Sequence, residues 1–203
     1  MLRPFGGTTL TDIALDKLRG FGDQAFFAGH EPAFRDKCAA HGVRFVMRSP
    51  ESVTIDEPIT EILSFLRDES STHFLIVNAC LPFLEAETIR GFLNACVAGN
   101  LEPAFAVIRR HNHFISLDRR PLNFPADMKT INSKTVEPVY EFAHALYFFS
   151  KDYFFTHGRY WDWSTVRLLE AGSRTELIDI DTEEDFAFAE TVWRGSRAAA
   201  GRA

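Results

Sequence analysis

Short apolar runs alternate along this chain with longer stretches in which apolar and polar positions recur at helical spacing. The short runs are typical of β-strands and the longer, amphipathic stretches are typical of α-helices. Strands are predicted at 24–29, 43–48, 73–79, 104–109, 145–150 and 176–181. Helices are predicted at 9–19, 31–41, 58–69, 85–98 and 183–194. This alternation indicates crossover units, and therefore an α/β fold with a largely parallel sheet.

The ends of the elements carry residues that support this interpretation. The strands at 73–79 and 104–109 are apolar without alternation, as expected for strands that are covered on both faces. Pro58 stands at the start of a predicted helix, where its missing N–H costs nothing. Gly42 and Gly99 follow two other predicted helices and are expected to be their C-terminal caps.

The segment from Arg110 to Glu137 interrupts the pattern. It contains Pro121 and Pro125 and is too long for an ordinary connection, which predicts a functional loop or an arm that leaves the domain. The rest of the chain is expected to form one domain over residues 1–195, followed by a disordered tail at 196–203.

Composition and charge narrow the possible functions. The 203 residues are 46% hydrophobic and 25% charged, which suits one domain with a substantial core. The net charge of -6 argues against nucleic acid as the main partner. No apolar run reaches the roughly 18 residues that a membrane span needs, and the N-terminus has no signal-peptide pattern. Three cysteines without C-x-x-C spacing suit no disulfide framework, so a cytoplasmic location is expected.

The candidate chemistry lies where the predicted strands end, because ligands of parallel sheets bind beyond the carboxyl ends of the strands. Asp179 and Asp181 are two residues apart on a predicted strand, so both side chains face the same way. Paired carboxylates at such a place suit Mg²⁺, which binds one or two carboxylates together with substrate phosphates. Asp181 or Thr182 is equally suited to cap the last helix, with Asp181 and Glu184 as a capping box. The two roles are compatible, and both stay open.

A second candidate is Asn78, at the end of the most apolar predicted strand. A polar amide at this position can contact a ligand, or it can satisfy nearby backbone groups. The sequence alone does not separate these two roles.

Five segments match, in order and spacing, the motifs of one enzyme family. Residues 2–10 (LRPFGGTTL) resemble LRPL-x-GKPL, and 28–43 resemble a stretch with the pattern S-T-D-D…Y-G-V. Residues 78–84 (NACLPFL) occupy the place of Q-P-T-S-P-L-R. Residues 136–149 resemble L-x-P-V-Y-x-E-N-G-A-x-Y-x-F, and 178–185 (IDIDTEED) resemble I-D-I-D-T-x-x-D. The chain thus resembles the acylneuraminate cytidylyltransferases, which make CMP-sialic acid and related CMP-sugars.

This resemblance implies a fold, a reaction and an assembly. The implied fold is the three-layer, Rossmann-like nucleotide-diphospho-sugar transferase fold with a mostly parallel sheet. The implied reaction joins CTP to an acidic, nonulosonate-type sugar, giving a CMP-sugar and pyrophosphate. The implied assembly is a homodimer, in which an arm at about 110–137 reaches the partner's active site.

The resemblance also assigns roles to single residues. Asp179 and Asp181 would be the catalytic residues that hold Mg²⁺, and Asn78 would contact the sugar. Lys134, in the arm, would meet a phosphate or the sugar carboxylate. The remaining substrate-binding positions implied by the motifs are Arg3, Cys80, Tyr140, Glu141 and His144.

Departures from the family pattern leave three functional hypotheses. The family's glycine-rich phosphate loop and its preceding strand have no counterpart before Leu2, and Cys80, Leu81, Leu84 and His144 replace motif residues. The first hypothesis is an active cytidylyltransferase whose phosphate loop is encoded upstream. The second is a catalytically degenerate relative that binds a nucleotide or sugar, or pairs with another subunit. The third is a nucleotidyltransferase with a different substrate.

Overall fold

The computed structural model of the chain describes residues 1–54 and 56–200. The α-helices in this part are α1 (Leu10–Arg19), α2 (Pro32–His41), α3 (Ile59–Ile62), α4 (Ala86–Gly99), α5 (Lys151–His157) and α6 (Glu183–Ala200). The strands are β1 (Pro4–Phe5), β2 (Thr8–Thr9), β3 (Phe26–Gly29), β4 (Arg44–Met47), β5 (His73–Val77), β6 (Ala104–Arg110), β7 (Val139–Ser150) and β8 (Arg167–Glu170). Helices and strands alternate over most of the chain, so the predicted α/β class is confirmed.

The strands form one larger sheet and two separate pairs. The larger sheet has the order β5-β7-β6-β8, in which β7 is antiparallel to both of its neighbours and β8 is parallel to β6. Strands β3 and β4 form a parallel pair of their own, and β1 and β2 form a short antiparallel hairpin. The predicted mostly parallel arrangement is confirmed, with β7 as the antiparallel exception.

Apolar side chains cover both faces of the larger sheet. Phe148 and Phe149 are neighbours on β7, so their rings point to opposite faces. Phe148 packs with α4 residues such as Ile89 and Phe92, whereas Phe149 packs with Phe154 of α5 on the other face. The result is a three-layer arrangement, and it explains why the strands are apolar without alternation.

Of the two glycines predicted to cap helices, one does so and the other does not. Gly42 is the C-cap of α2 in the left-handed conformation, with φ 66°, and its N–H donates to the carbonyls of Cys38 and Ala39, as predicted. Gly99 was expected to cap α4, but it is the last helical residue, and Asn100 takes the left-handed position with φ 48°. Asparagine can do this because it is one of the few residues besides glycine that adopt this conformation readily.

The helix predicted over 58–69 is shorter and divided. Pro58 precedes α3 as expected, but α3 has only 4 residues and a 3₁₀ helix follows over Ser64–Asp68. The buried side chains in this stretch are Leu63 and Leu66, three residues apart. Spacing by three matches the 3₁₀ repeat, so the tighter helix keeps both leucines in the core.

The strand predicted over 176–181 is wrong. This segment is a turn followed by extended chain, and its described backbone hydrogen bond to a distant residue runs from Ile180 N to the Cys80 carbonyl, in the turn after β5, at 3.2 Å. The Glu176 carboxylate instead accepts hydrogen bonds from Glu85 N at 3.2 Å and Ser173 N at 2.7 Å, next to the start of α4. A carboxylate engaged in this way ties the segment to a helix end rather than to a strand partner.

Several elements escaped the sequence prediction. Strand β8, helix α5 and the first half of β7 were not expected, and α6 extends to Ala200, past the expected domain boundary at 195. The expected disordered tail therefore overlaps α6 up to residue 200, and 201–203 lie outside the described residues. Over the described part of the chain, no helix has the length and apolar character needed to cross a membrane.

The segment between β6 and β7 lacks a helix longer than one 3₁₀ turn, at Ser133–Thr135. The two ends of this segment are joined by hydrogen bonds from Asn123, a buried polar residue. The Asn123 side chain accepts from Phe114 N at 2.9 Å and donates to the carbonyls of Asn112 and Glu137, each at 2.7 Å. The predicted interruption is thus a folded excursion that begins and ends at the same place in the sheet.

Candidate active site

Asp179 and Asp181 lie on one side of the extended chain that leads into α6. Ile178 and Ile180 alternate with them and pack against an apolar cluster that contains Phe5. Because alternate side chains of an extended segment point to opposite sides, both aspartates are turned away from that cluster. Both line a large cleft next to the end of β5. The expected pairing of the two carboxylates is therefore kept, although the segment is not a strand.

Asn78 connects this carboxylate pair to the sheet. Its Nδ2 donates to the His144 carbonyl at 3.0 Å and lies 3.2 and 3.4 Å from the two carboxylate oxygens of Asp179. Its Oδ1 accepts from Cys80 N at 2.9 Å. The side chain thus satisfies local backbone groups and also orients Asp179, so the two roles left open by the sequence occur together.

The electrostatic surroundings of Asp179 oppose its negative charge. Partial burial raises the pKa of Asp179 above its usual value, and the neighbouring Asp181 carboxylate raises it further. The Ile180 N–H, which donates to Asp179 Oδ1 at 2.9 Å, and the nearby His144 act in the opposite direction. A bound cation would remove this repulsion, which is the arrangement expected of a carboxylate pair that holds a metal ion.

The helix cap next to the pair is formed by Thr182, one of the two expected N-cap residues, together with Asp185. Thr182 precedes α6, and Asp185 N donates to its Oγ1 at 3.2 Å. The Asp185 carboxylate accepts in return from Thr182 N at 2.9 Å, which completes a capping box. The predicted box between Asp181 and Glu184 is wrong. Among the described residues the Asp181 side chain has no hydrogen-bond partner, so its carboxylate is available to a ligand.

The two carboxylates suit Mg²⁺ that is bound together with substrate phosphates and water. In the part of the chain that the structure describes, no group of three or more His, Cys, Asp or Glu side chains is arranged to hold a metal ion. Mg²⁺ does not need such a cage, because it is commonly bound by one or two carboxylates together with substrate phosphates and water. Asp179 and Asp181 supply those two carboxylates.

His144 lies beside the pair on an irregular stretch of β7. The register between β6 and β7 shifts between Phe105 and Val107, and His144 adopts the left-handed conformation with φ 48°. Its Nδ1 lies 2.9 Å from the Tyr147 hydroxyl. Histidine is one of the few non-glycine residues enriched in this conformation, which fits a position where the resembling family has glycine.

Tyr147 is a site residue that the sequence analysis missed. It lines the same cleft, and burial raises its pKa to about 12, with further contributions from Tyr160 and Asp179. The Tyr147 hydroxyl therefore stays protonated and can act as a hydrogen-bond donor or acceptor. Its position within an apolar run, Ala145–Phe149, gave no sign of this role.

Cys80 lies between Asn78 and the first residue of the chain. Its Sγ is 3.8 Å from the Met1 sulfur, and its carbonyl accepts from Ile180 N. Burial and the nearby Asp179 raise the pKa of the Cys80 thiol, so it stays protonated at neutral pH. The thiol suits a contact surface for a ligand and does not suit a nucleophile.

Lys17 of α1 is a second residue that the sequence analysis missed. It lines the cleft, and its Nζ donates to the Leu81 carbonyl at 2.7 Å. Burial lowers the pKa of Lys17 to about 8, although Glu85 and Glu176 act in the opposite direction. The lysine lies on a helix face of ordinary amphipathic pattern, where no motif distinguishes it from a surface lysine.

Four of the residues assigned by resemblance lie apart from this group. Arg3 pairs with Glu183 at 2.6 Å and stacks on Phe186 at 4.0 Å from the ring centroid. Tyr140 and Glu141 lie at the start of β7, where their partners are Glu170 and Arg110. Lys134 is exposed on the arm. The residues that the cleft brings together are Asn78, Cys80, His144, Tyr147, Asp179, Asp181 and Lys17.

A comparison with protein families decides the relationship. The family model described as "MobA-like NTP transferase domain" matches residues 1–166. This chain belongs to that family. The matched region ends before Asp179 and Asp181, so the carboxylate pair of this MobA-like domain rests on the structure described above.

Solved structures agree with the fold of this MobA-like domain. One is the 4-diphosphocytidyl-2C-methyl-D-erythritol synthase from Anaerococcus prevotii DSM 20548, with a TM-score of 0.65 and 17% identity over 95% of this chain and 91% of that one. Another is a CMP:2-keto-3-deoxy-manno-octonic acid synthetase complexed with CTP, with a TM-score of 0.65 and 9% identity over 96% and 91%. No curated protein sequence matches the chain. The nucleotidyltransferase relationship is thus shown at the level of the NTP transferase family.

Proposed function

We propose that the protein transfers a cytidylyl group from CTP to a hydroxyl of an acidic, nonulosonate-type sugar. The observation that carries this proposal is the carboxylate pair Asp179 and Asp181, which lines a cleft of about 1680 Å³ and whose Asp179 is contacted by Asn78 at the end of β5. Membership of the NTP transferase family supports nucleotidyl transfer as the type of reaction. The motif resemblance and the name of the octonic acid synthetase support an acidic sugar and CTP.

The proposed reaction is a single displacement at phosphorus. The sugar hydroxyl oxygen forms a bond to the α-phosphorus of CTP, the bond from that phosphorus to the bridging oxygen breaks, and pyrophosphate leaves with the electron pair. The hydroxyl proton passes to solvent. Such a transfer depends on alignment and charge neutralisation more than on covalent chemistry by the protein.

The residues of the chain have distinct tasks in this scheme. Asp179 and Asp181 would hold Mg²⁺, which supplies positive charge to the phosphates when bound. Asn78 keeps the Asp179 carboxylate oriented, and the His144–Tyr147 pair presents polar atoms beside it. Lys17, with a pKa of about 8, is mostly protonated at neutral pH and offers a cation to a phosphate or a sugar carboxylate.

The direct experiment measures pyrophosphate release from CTP and Mg²⁺ with a panel of acidic sugars. We expect release with at least one sugar, and a loss of about 100-fold or more in Asp179→Asn. Asp36→Asn, which removes an exposed carboxylate on α2, is the matched control and should keep full activity. ATP, GTP and UTP in place of CTP test the choice of base. No release from any nucleotide with any sugar, from folded protein, would contradict the proposal.

One observation favours a second candidate, a relative that binds nucleotide or sugar without turnover. Leu81 and Leu84 take the places of a polar and a basic residue in the resembling motif, and they are 0% and 1% exposed. Both side chains pack in the core, so neither can contact a substrate. Calorimetric binding of CTP with Mg²⁺, without pyrophosphate release, would favour this candidate over the enzyme.

We propose also that the arm at 110–137 joins two copies into a homodimer. Large apolar side chains stand exposed along it, with Leu117 at 106% and Ile131 at 87% exposure. Exposed apolar groups concentrated on one excursion are typical of a protein contact. We expect a dimer by sedimentation velocity, and a monomer for Leu117→Asp combined with Ile131→Asp. The pair Asp118→Ala and Asp127→Ala is the control, and a monomeric parent chain would refute the arrangement.

A further inference from the structure

Trp163 is a large aromatic side chain that stays exposed on a well-ordered turn. It lies between α5 and β8, and 64% of its surface is accessible. Asp162 Oδ1 accepts from Ser164 N at 2.9 Å and from Ser164 Oγ at 2.6 Å. The Asp162 carbonyl accepts from Val166 N at 2.8 Å. The backbone on both sides of the indole is thus fixed, and the exposure of the ring is a property of the folded turn.

An irregularity in β7 places the support of this ring. Phe142 and Tyr147 stand at positions of opposite parity, so a regular strand would turn their side chains to opposite faces. The register between β6 and β7 shifts between Phe105 and Val107, and His144 takes the left-handed conformation. Such a shift redirects side chains. As a result, the Phe142 and Tyr147 rings both meet the Phe105 ring, at 5.6 and 5.0 Å between centroids, on one face of the sheet.

Phe142 is the ring on which Trp163 lies. The two centroids are 5.5 Å apart and the planes are inclined by 26°, which is a stacked arrangement. Phe105 meets Trp163 edge-on, at 6.4 Å and 86°. A ring that is stacked on one side and still mostly exposed presents its other side to solvent. Trp163 is therefore oriented in advance for contact with a flat apolar group, which lowers the entropy cost of that contact.

The stack is continuous with the candidate active site. The Phe142 ring lies edge-on to the His144 imidazole, at 6.1 Å between centroids. His144 in turn contacts the Tyr147 hydroxyl, and both residues line the cleft together with Asp179. A ligand with one end at Asp179 and polar groups near His144 can thus extend towards Trp163.

The chemistry of an exposed indole suits one face of a sugar ring. The indole face carries negative charge density, whereas the C–H bonds on one face of a sugar ring are apolar and weakly positive. Stacking on this face leaves the hydroxyls of the sugar in water or on polar side chains. An apolar ring next to a few polar groups is typical of sites that orient small polar ligands.

We propose that Trp163 is a stacking platform for the acceptor sugar, whose C–H face lies on the indole while the reacting hydroxyl is held near Asp179. This inference rests on the proposed function, because it takes its ligand to be the acceptor of that reaction. None of the five motif segments contains Trp163, so the resemblance assigns it no role. Phe142 acts as a positioning residue, since it contacts the sugar only through the indole.

The kinetic test compares Trp163→Ala, Trp163→Phe and the parent chain in pyrophosphate release with acidic sugars. We expect Trp163→Ala to raise the KM for the sugar about tenfold and to change kcat and the KM for CTP by less than about twofold. Trp163→Phe keeps an aromatic face and should stay within about threefold of the parent. Phe188→Ala is the matched control, because Phe188 on α6 is 58% exposed and lies outside the stack. An unchanged sugar KM in Trp163→Ala overturns the proposal.

A binding measurement separates this proposal from the proposed function. Each acidic sugar is added to the parent chain without CTP, and the indole N–H resonance of Trp163 is followed by NMR. Its assignment comes from its loss in Trp163→Phe, and the buried Trp193 indole serves as the internal control. We expect one sugar to shift the Trp163 resonance and to leave that of Trp193 in place. A shift without pyrophosphate release would refute the proposed function and support the platform.

Three results of these measurements would overturn the platform even if the enzyme is active. The first is a Trp163 resonance that no sugar shifts. The second is a shift caused by CTP alone, which would assign the ring to the nucleotide. The third is a lower sedimentation coefficient of Trp163→Ala with unchanged sugar constants, which would assign the ring to a contact between two copies of the chain.

Discussion

The Asn78 side-chain nitrogen lies 3.2 Å from one carboxylate oxygen of Asp179, although 101 positions separate the two residues in the sequence. The same nitrogen donates to the His144 carbonyl, so this amide joins β5, β7 and the segment before α6. The contact brings the two sequence-predicted candidates into one site.

Asn78→Asp should destabilise the fold in a pH-dependent way. The new carboxylate would face Asp179 and leave the His144 carbonyl without its donor, at a cost of about 1–3 kcal/mol at neutral pH. Carboxyl pKa values raised in the folded state mean that this deficit is absent in acid and grows as the pH rises above about 4. Urea unfolding at several pH values measures it, with Asn94→Asp on α4 as the control. A deficit that does not change with pH would show that the two carboxylates do not interact.

Asp181→Ala and Asp185→Ala should separate ligand binding from helix capping. Asp185 belongs to the capping box with Thr182, so its loss should lower the free energy of unfolding by about 1 kcal/mol and leave Mg²⁺-dependent CTP binding intact. Asp181 has no such role, so its loss should change stability by less than about 0.5 kcal/mol and abolish that binding. Calorimetric titration and urea unfolding measure the two effects. If Asp181→Ala instead lowered the stability and left CTP binding intact, Asp181 would have only a structural role.

Lys17→Met should alter the pH dependence of stability in the alkaline range. The Lys17 pKa is lowered from 10.5 to about 8 in the folded chain, so the buried charge destabilises the fold below pH 8. That cost is relieved as the pH rises from about 8 to 10.5, because the folded state releases its proton first. Relative to Lys17→Met, the free energy of unfolding of the parent should therefore rise by up to about 3 kcal/mol between pH 8 and pH 10.5. Lys129→Met, at an exposed arm position, controls for the loss of a positive charge, and parallel curves for parent and Lys17→Met would contradict the expectation.

His144→Gly should be more stable than His144→Ala. Both variants lose the contact with Tyr147, but only glycine adopts φ 48° without a steric penalty. The difference in free energy of unfolding between the two variants therefore measures the cost of the left-handed backbone conformation for a residue other than glycine. We expect this difference to be about 1 kcal/mol in favour of glycine. Thermal unfolding provides the measurement, and equal stability of the two variants would show that the backbone relaxes once the imidazole is removed.

The sequence predicted the apolar strands well because their signal is local. The runs around Phe74 and Phe105 form strands wherever they pack, and their lack of alternation correctly indicated a sheet covered on both faces. The segment 176–181 alternates apolar and acidic residues as a half-buried strand would, but it is not a strand, since Glu176 is held at the start of α4. The pairing partners of a segment depend on distant residues, which no local pattern contains.

The residues of the candidate site also fall into those that the local sequence pattern could identify and those that it could not. Asp179, Asp181 and Asn78 could be found because a polar residue after an apolar run marks the edge of a sheet. Tyr147 and Lys17 could not be found, because an apolar run and an amphipathic helix account for them equally well. Arg3, assigned by resemblance, is instead engaged by Glu183, a contact between opposite ends of the chain.

The sequence by itself determined the α/β class, the interruption at 110–137 and the carboxylate pair, because local spacing and residue type are sufficient for each. The tertiary structure alone decided that Thr182 and Asp185 cap α6, which leaves the Asp181 carboxylate without a partner among the described residues. It alone decided the antiparallel direction of β7 and the separation of the β3–β4 pair from the larger sheet. These features depend on hydrogen bonds and on apolar burial between residues that are far apart in the sequence. Such contacts exist only in the folded chain, so no local sequence pattern contains them.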